Sequence, residues 1–213
     1  MAKLKNFNGK FCESDYEAAM LSYLQEEGWN YLAGSQVSRT FYRDVLIVDD
    51  MKSFLAKTNP DLLPDEVQQI IDTVKLVGAE SDFATLHKVY GWMVNGVQFT
   101  PKDGLARMVN LIDFENPQNN IFCAVNQFSV EYTNNGKNEV RIPDILLYVN
   151  GLPLCIIELK SPSEPNAKIF NAYEQIIIRY WRDIPHLLHY CPLACISDGV
   201  KTRLGRVRTP YEH

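Results

Sequence analysis

A chain of 213 residues with 46% hydrophobic content can bury one large core and fits a single α/β domain over 1–213 better than two small ones. It has no run of eighteen apolar residues, and its start, Met-Ala-Lys-Leu-Lys-Asn, lacks an apolar signal core, so membrane and secreted readings fail and a cytoplasmic protein is expected. A formal net charge of −5 works against binding a polyanion over the whole surface, although it is compatible with a local basic patch.

Ser14-x-x-Glu17 has the form of a capping box, and Tyr16, Ala19, Met20, Tyr23 and Leu24 recur at helical spacing until Gly28. This predicts a first helix with Glu17 engaged in its cap. Residues 41–58 show no clear period. Asn59-Pro60 and then Leu63-Pro64-Asp65-Glu66 open a helix running to about Val77, and Asp82 caps another through Asn95. Together they read as an inserted helical layer over about 58–96. His87, set among Leu86, Val89 and Tyr90, reads as a core or boundary histidine rather than a base.

From Asn120 the pattern becomes that of strands. Residues 121–132 and 140–149 flank a turn at Thr133-Asn134-Asn135-Gly136-Lys137, and 141–149 and 152–160 flank the hairpin dipeptide Asn150-Gly151. Pro143 has no amide hydrogen and is expected at an edge or irregular point, next to Asp144. The run Leu152-Pro-Leu-Cys-Ile-Ile-Glu-Leu-Lys160 is apolar on both alternating sets, so its strand should be buried on both faces. Charges at the end of such a strand need a reason.

The reason lies in register. A two-residue loop would pair Asp144 with Ile157 and turn Glu158 to the other face. With Val149-Asn150-Gly151 as a three-residue loop and Gly151 left-handed, Asp144 faces Ile156 and Glu158 becomes its diagonal same-face neighbour, roughly 7–8 Å away at the backbone. Lys160 follows on that face. Two carboxylates so placed can bend toward one hard cation such as Mg2+, which acidifies a bound water, while the lysine orients that water or offsets charge on a phosphorane. Those are the parts needed to hydrolyse a phosphodiester without a protein nucleophile.

After a loop over 161–166, Ile169, Phe170, Tyr173, Ile176, Ile177, Tyr180, Trp181 and Ile184 form a helical stripe, with Gln175, Arg179 and Arg182 on flanking faces. Residues 192–197 read as the next strand, reached by crossover and therefore parallel to 152–159, which makes the sheet mixed. Asp198-Gly199 reads as a turn. Acidic residues concentrate in 44–82, whereas Lys201, Arg203, Arg206 and Arg208 cluster near the end, as a binding patch or equally as a solvated basic tail. The five cysteines form no Cys-x-x-Cys pair and the four histidines show no zinc spacing, so free thiols are expected. A ligand set from His186, His189, Cys191 and Cys195 conflicts with the strand at 192–197.

Arg141-Ile-Pro-Asp144-Ile and Ile156-Ile-Glu158-Leu-Lys160-Ser resemble the PD-(D/E)XK nuclease superfamily. Asn119-Asn-Ile-Phe-Cys-Ala-Val-Asn-Gln-Phe, the Ile-Glu-Leu-Lys-Ser-Pro stretch, Asn171-Ala-Tyr-Glu-Gln-Ile and Arg182-Asp-Ile-Pro narrow the likeness to the amino-terminal nuclease domain of type I restriction enzyme R subunits, from about Ser14 to Thr209. That resemblance implies a restriction-endonuclease-like mixed sheet flanked by helices. It also implies cutting of unmodified double-stranded DNA with Mg2+ or Mn2+, remote from the recognition site.

The resemblance further implies Asp144, Glu158 and the Leu159 carbonyl as metal ligands, Lys160 as the water-orienting group, and an acid from the first helix, for which Glu17 is the match. Arg179, Arg182, Lys201 and Arg203 are the DNA-contact candidates. The family's helix carries a Gln-x-x-x-Tyr motif, but here Tyr180 follows Gln175 by five positions, with Arg179 at the family's tyrosine position. An ideal helix would hold Gln175 and Tyr180 about 140° apart, and one π-bulge would realign them.

No Walker-type glycine loop is present, so ATP use is expected only through motor domains outside this sequence, and methyltransferase and specificity subunits are the implied partners. Two alternatives stand beside this reading. One is another nuclease of the superfamily, a resolvase or an exonuclease; the other is a docking or DNA-clamping module that cuts poorly.

Overall fold

The computed structural model describes residues 12–77, 81–102, 104–161 and 169–212. Besides short 3₁₀ turns, the elements are α1 (Glu13–Glu26), β1 (Asn30–Ala33), α2 (Val48–Thr58), α3 (Pro64–Lys75), α4 (Asp82–Asn95), β2 (Val97–Phe99), β3 (Arg107–Val109), β4 (Phe122–Asn126), β5 (Val130–Asn134), β6 (Lys137–Arg141), β7 (Ile145–Val149), β8 (Leu152–Leu159), α5 (Ile169–Glu174), a π-helical segment Gln175–Tyr180, α6 (Trp181–Asp183), α7 (Pro185–Leu188), β9 (Leu193–Ser197) and β10 (Thr202–Arg206). The loop expected over 161–166 lies, beyond Ser161, outside the described residues.

The six-stranded sheet has the order β1-β4-β7-β8-β9-β10. β1 runs parallel to β4 and β8 parallel to β9, while β4, β7 and β8 pair antiparallel in turn, so the sheet is mixed as the crossover required. The apolar run in β8 is explained by its place between β7 and β9, with seven of its eight residues buried. Val125, Leu146, Tyr148 and Ile156 form the centre of the core.

The turn at the head of β7 and β8 differs from the three-residue loop expected. Val149 pairs with Leu152, and Asn150 (φ 51°) with Gly151 (φ 78°) forms a two-residue loop with both residues left-handed. The register then shifts. Tyr148 pairs with Pro153 but Leu147 with Cys155, leaving Leu154 as a bulged extra residue beside a proline. Ile145 consequently pairs with Ile157. Continued by one residue, that register sets Asp144 opposite Glu158, where Ile156 had been expected.

Two long expected strands are each broken. Gln127 is left-handed at φ 51° and ends β4, while the passage through Ile142, Pro143 and Asp144 separates β6 from β7. The near halves, β4 and β7, join the main sheet, and the far halves, β5 and β6, make a separate two-stranded ribbon. α2 occupies the stretch that lacked a clear period, burying Met51, Phe54 and Leu55 against Val67, Ile70, Ile71 and Val74 of α3. Its entry is pinned where the Ile47 amide donates to the Gly151 carbonyl at 2.9 Å, an approach so close that a Cβ on Gly151 would collide with the Ile47 carbonyl.

Several local expectations change. The cap of α4 is Ser81, which accepts from the Ala84 amide, and Asp82 instead accepts from His189 at 2.9 Å. His87 is an exposed residue stacked on Phe83, not a core histidine. Of the basic residues near the end, Arg203 and Arg206 belong to an edge strand rather than a tail: β10 pairs antiparallel with β9, and Asp198 caps the intervening turn by accepting from Val200 and Lys201 amides, while Arg208 follows the strand. All five cysteines are free. Among the described residues, no helix is long and apolar enough to cross a membrane.

Candidate active site

The far ends of β7 and β8 gather charged residues at the margin of the core. Glu158 is fully buried at 0% exposure. Its Oε1 accepts from the Tyr180 hydroxyl at 2.7 Å and its Oε2 from the Gln175 amide at 2.6 Å, and that amide also donates to the Tyr180 oxygen at 2.8 Å. The five-residue spacing is absorbed by the π-helical segment, whose i→i+5 closure lays Tyr180 beside Gln175. An unbroken α-helix would have turned one of the two away. Tyr180, only 1% exposed, is therefore both a core side chain and a partner of the acid.

Asp144 faces this group from the adjoining chain. Its Oδ2 accepts from the Leu159 amide at 2.7 Å, and its carbonyl accepts from the Gln127 amide at 3.0 Å. Lys160 is tied at its own amide to the Ser197 carbonyl at 2.8 Å, and its ammonium donates to the Leu159 carbonyl at 2.8 Å. That ammonium stands 3.9 Å from Glu158 Oε2 and 3.5 Å from Glu13 Oε1.

Glu17 does not cap its helix. The cap of α1 is Cys12, whose amide donates to Asp15 at 3.0 Å, and Glu17 is turned inward at 9% exposure. Its two carboxylate oxygens accept from Asn126 at 2.5 Å and Gln127 at 2.8 Å. Tyr23, expected on the buried face, is 68% exposed, so the helix is rotated to bury an acid instead of a ring. Glu13, Asn126 and Gln127 were not singled out by sequence. The signal for the amide pair was available, since two polar side chains close the apolar strand β4.

Electrostatics follow from burial. The Glu158 carboxyl is pushed well above the usual carboxylate range, first by desolvation and then by Asp144, with Tyr180 and Lys160 pulling it back. Asp144 is raised too, chiefly by burial and further by Glu13 and Glu17, against the Leu159 hydrogen bond and Lys160. The Tyr180 hydroxyl is driven upward by burial and by Glu158, so it stays a donor. Two acids held this way are an unfavourable pair until positive charge arrives.

The donor set fits Mg2+. Among the described residues no three acidic, histidine or cysteine side chains gather closely enough to cage a metal. The arrangement supplies two carboxylates and the Leu159 carbonyl, and Mg2+ keeps several waters and takes few protein ligands. Lys160, on that carbonyl and near Glu158, already brings one positive charge to the place where more is needed.

The four basic candidates lie on different elements. Arg179 is exposed on the π-helical segment, Arg182 is exposed and paired to Asp183 at 2.7 Å, and Lys201 is exposed at the β9–β10 turn. Arg203 lies over the Tyr211 ring at 4.3 Å and donates to the Tyr211 carbonyl.

Two buried acids and a lysine at neighbouring strand ends, met by a glutamine and a tyrosine from the π-helical segment, define an α/β protein with a buried cluster of charged and polar side chains. The chain belongs to the family described as type I restriction enzyme R protein N terminus, whose sequence model matches residues 10–213. It is 34% identical over 99% of its length to the putative type I restriction enzyme MjaIXP endonuclease subunit of Methanocaldococcus jannaschii, covering 21% of that protein. It is 33% identical over 94% of its length to the type I restriction enzyme HindI endonuclease subunit of Haemophilus influenzae, covering 20% of it. The type I restriction enzyme EcoprrI endonuclease subunit of Escherichia coli is 24% identical over 90% of this chain. The chain thus spans about a fifth of the length of the first two relatives.

Proposed function

We propose that this chain is the DNA-cutting part of a type I restriction endonuclease subunit, hydrolysing phosphodiester bonds of unmodified foreign double-stranded DNA with Mg2+. In this reading ATP-driven translocation belongs to motor domains elsewhere in the subunit, and site choice to methyltransferase and specificity partners. The observation that carries it is the meeting of Asp144 and Glu158 on one face at the ends of β7 and β8, with Lys160 beside them.

When bound, the metal supplies Lewis-acid polarisation of the phosphate and a more acidic water. The protein's own residues prepare that event. Asp144 and Glu158 would hold the cation with the Leu159 carbonyl, and Glu158, whose proton burial favours, would serve there as a carboxylate. Tyr180 and Gln175 fix the Glu158 carboxylate in one orientation and stabilise its anion through charge-assisted hydrogen bonds. Lys160 orients the attacking water or offsets charge on the pentacovalent phosphate. The π-helical segment removes the spacing argument for a weakly cutting module, and family membership favours this reading over a resolvase or a free exonuclease.

Lys160→Ala in the full-length subunit, assembled with its partners, tests the proposal. DNA binding and ATP hydrolysis should persist while plasmid cleavage falls at least 100-fold, on the order expected for losing one electrostatic stabiliser. Cleavage at the unsubstituted rate would reject it.

A further inference from the structure

The loop that follows β1 displays two adjacent aromatic rings outside the core: Phe41 is 62% and Tyr42 58% exposed. The backbone beneath them is braced. Asp44 closes a turn, its amide donating to the Phe41 carbonyl at 2.9 Å and its carboxylate accepting from the Phe41 amide at 3.1 Å. Arg39 donates to the Tyr42 carbonyl at 3.2 Å and to the Asp44 carbonyl at 3.3 Å. Rings held in place before anything binds lose little further freedom when a partner covers them.

The Arg39 guanidinium also lies 3.9 Å over the ring of Phe128, which is fully buried, and 4.8 Å over the ring of Tyr42. Ring, guanidinium and ring form a stack rooted in the core, with Tyr42 at its solvent end and a positive charge beneath it. A nucleobase presents the flat π-face that extends such a stack.

The loop stands beside the candidate active site. The Tyr42 carbonyl accepts from the Glu131 amide at 3.1 Å, in β5, whose first residue Val130 pairs with Arg141, three positions before Asp144. Gly34, earlier in the loop, approaches Gln127 so closely that a Cβ there would meet its carbonyl oxygen at 2.5 Å, and the Gln127 amide donates to the Asp144 carbonyl at 3.0 Å. A duplex with one phosphate at Asp144 extends over such neighbours, since its grooves alone are about 6–12 Å wide.

We propose that Phe41 and Tyr42 are DNA contacts that stack on nucleobases next to the cut, an assignment that rests on the nuclease reading above. The charge under Tyr42 and the nearness of Asp144 favour DNA over a protein surface as the occupant. A duplex offers base faces only where a step opens, so the contact favours steps that unstack readily, pyrimidine–purine steps above others.

The test uses the chain carrying Lys160→Ala, which on that reading binds duplex without cutting it. The probe is a short duplex with 2-aminopurine, an adenine analogue that brightens when unstacked, at a central T-A step. Binding should raise the fluorescence. Adding Phe41→Ala and Tyr42→Ala together should abolish the rise and weaken binding at least fivefold, with the melting temperature little changed because both rings are exposed. In a Phe41→Ala background, Tyr42→Phe should keep the signal, whereas Tyr42→Leu, apolar but without a π-face, should lose it. In the assembled full-length subunit with Lys160 intact, the double alanine variant should shift cuts away from pyrimidine–purine steps.

No rise with both rings present, or a rise and affinity that survive their removal, would overturn the inference. So would a double variant that binds duplex normally but fails to join its methyltransferase and specificity partners, which would make the rings a protein-docking face. Lys160→Ala separates the two levels: if it cuts at the unsubstituted rate, the nuclease reading fails, whereas lost cutting with unaltered stacking removes only the role of the rings.

Discussion

The two ends of the β7–β8 hairpin are built from the same strands and solve opposite problems. At the turn end, buried polar groups meet neutral partners. Asn150, 1% exposed, accepts from the Ile121 amide at 2.7 Å and donates to the Leu111 carbonyl at 2.9 Å and Asn120 at 2.8 Å. At the other end Glu158, just as buried, has Asp144 for a neighbour and an ammonium 3.9 Å away. Glu158 also has neutral donors in Tyr180 and Gln175, but it alone faces a second acid. The difference teaches where stability and chemistry are divided in this fold.

The largest expected effect comes from erasing the charge at the acidic end. Glu158→Gln should abolish cleavage by the assembled subunit yet raise the melting temperature at pH 8. The amide oxygen can accept from Gln175, and its NH2 can donate to the Tyr180 oxygen. The sign follows from linkage. An acid whose native pKa is raised binds its proton more tightly when folded, so the unsubstituted protein loses stability as pH climbs from the unfolded value of 4.5 through the raised native one. Melts across that range should show the two proteins converging near pH 4.5 and separating above it, by roughly 2–4 °C per kcal/mol. A variant that melts lower at pH 8 would contradict the like-charge account.

Asn150→Ala probes the turn end and should do the reverse. Losing three buried hydrogen bonds at a left-handed position should cost about 3–5 kcal/mol and lower the melting temperature by about 10 °C. Cleavage per folded molecule should hardly change. Denaturant unfolding beside cleavage assays at low temperature checks both halves.

The smallest effect sharpens the geometry between the ends. Deleting Ile178, which is 55% exposed within the π-helical segment, should restore a regular helix with glutamine and tyrosine four positions apart. Cleavage should stay within about tenfold of the unsubstituted level. A loss as complete as that of Glu158→Gln would mean that the widened turn does more than absorb an extra residue.

Much of this comparison was legible in the residues, but not always for the reason first drawn from them. The shared face of Asp144 and Glu158 was anticipated through a bulge at Gly151, whereas the offset arises at Leu154 beside Pro153. Periodicity counts residues along a strand and cannot locate a slip; the proline, lacking its ladder hydrogen, was the clue. The glutamine–tyrosine pairing was readable from the five-residue spacing once a π-bulge was allowed. Glu17 was misassigned because a local cap pattern and a tertiary contact to Asn126 and Gln127 look alike in sequence. α2 was missed since its apolar positions, Met51, Phe54 and Leu55, make too short a stripe, and β1 and β10 are edge strands whose partners lie far along the chain.

Crystals of this chain soaked in Mn2+ and measured for anomalous scattering test the central claim most directly. The account predicts a peak about 2.1 Å from one oxygen each of Asp144 and Glu158 and from the Leu159 carbonyl, with Lys160 displaced from that carbonyl. An ion bound elsewhere, with none between the two acids at saturating Mn2+, would contradict it.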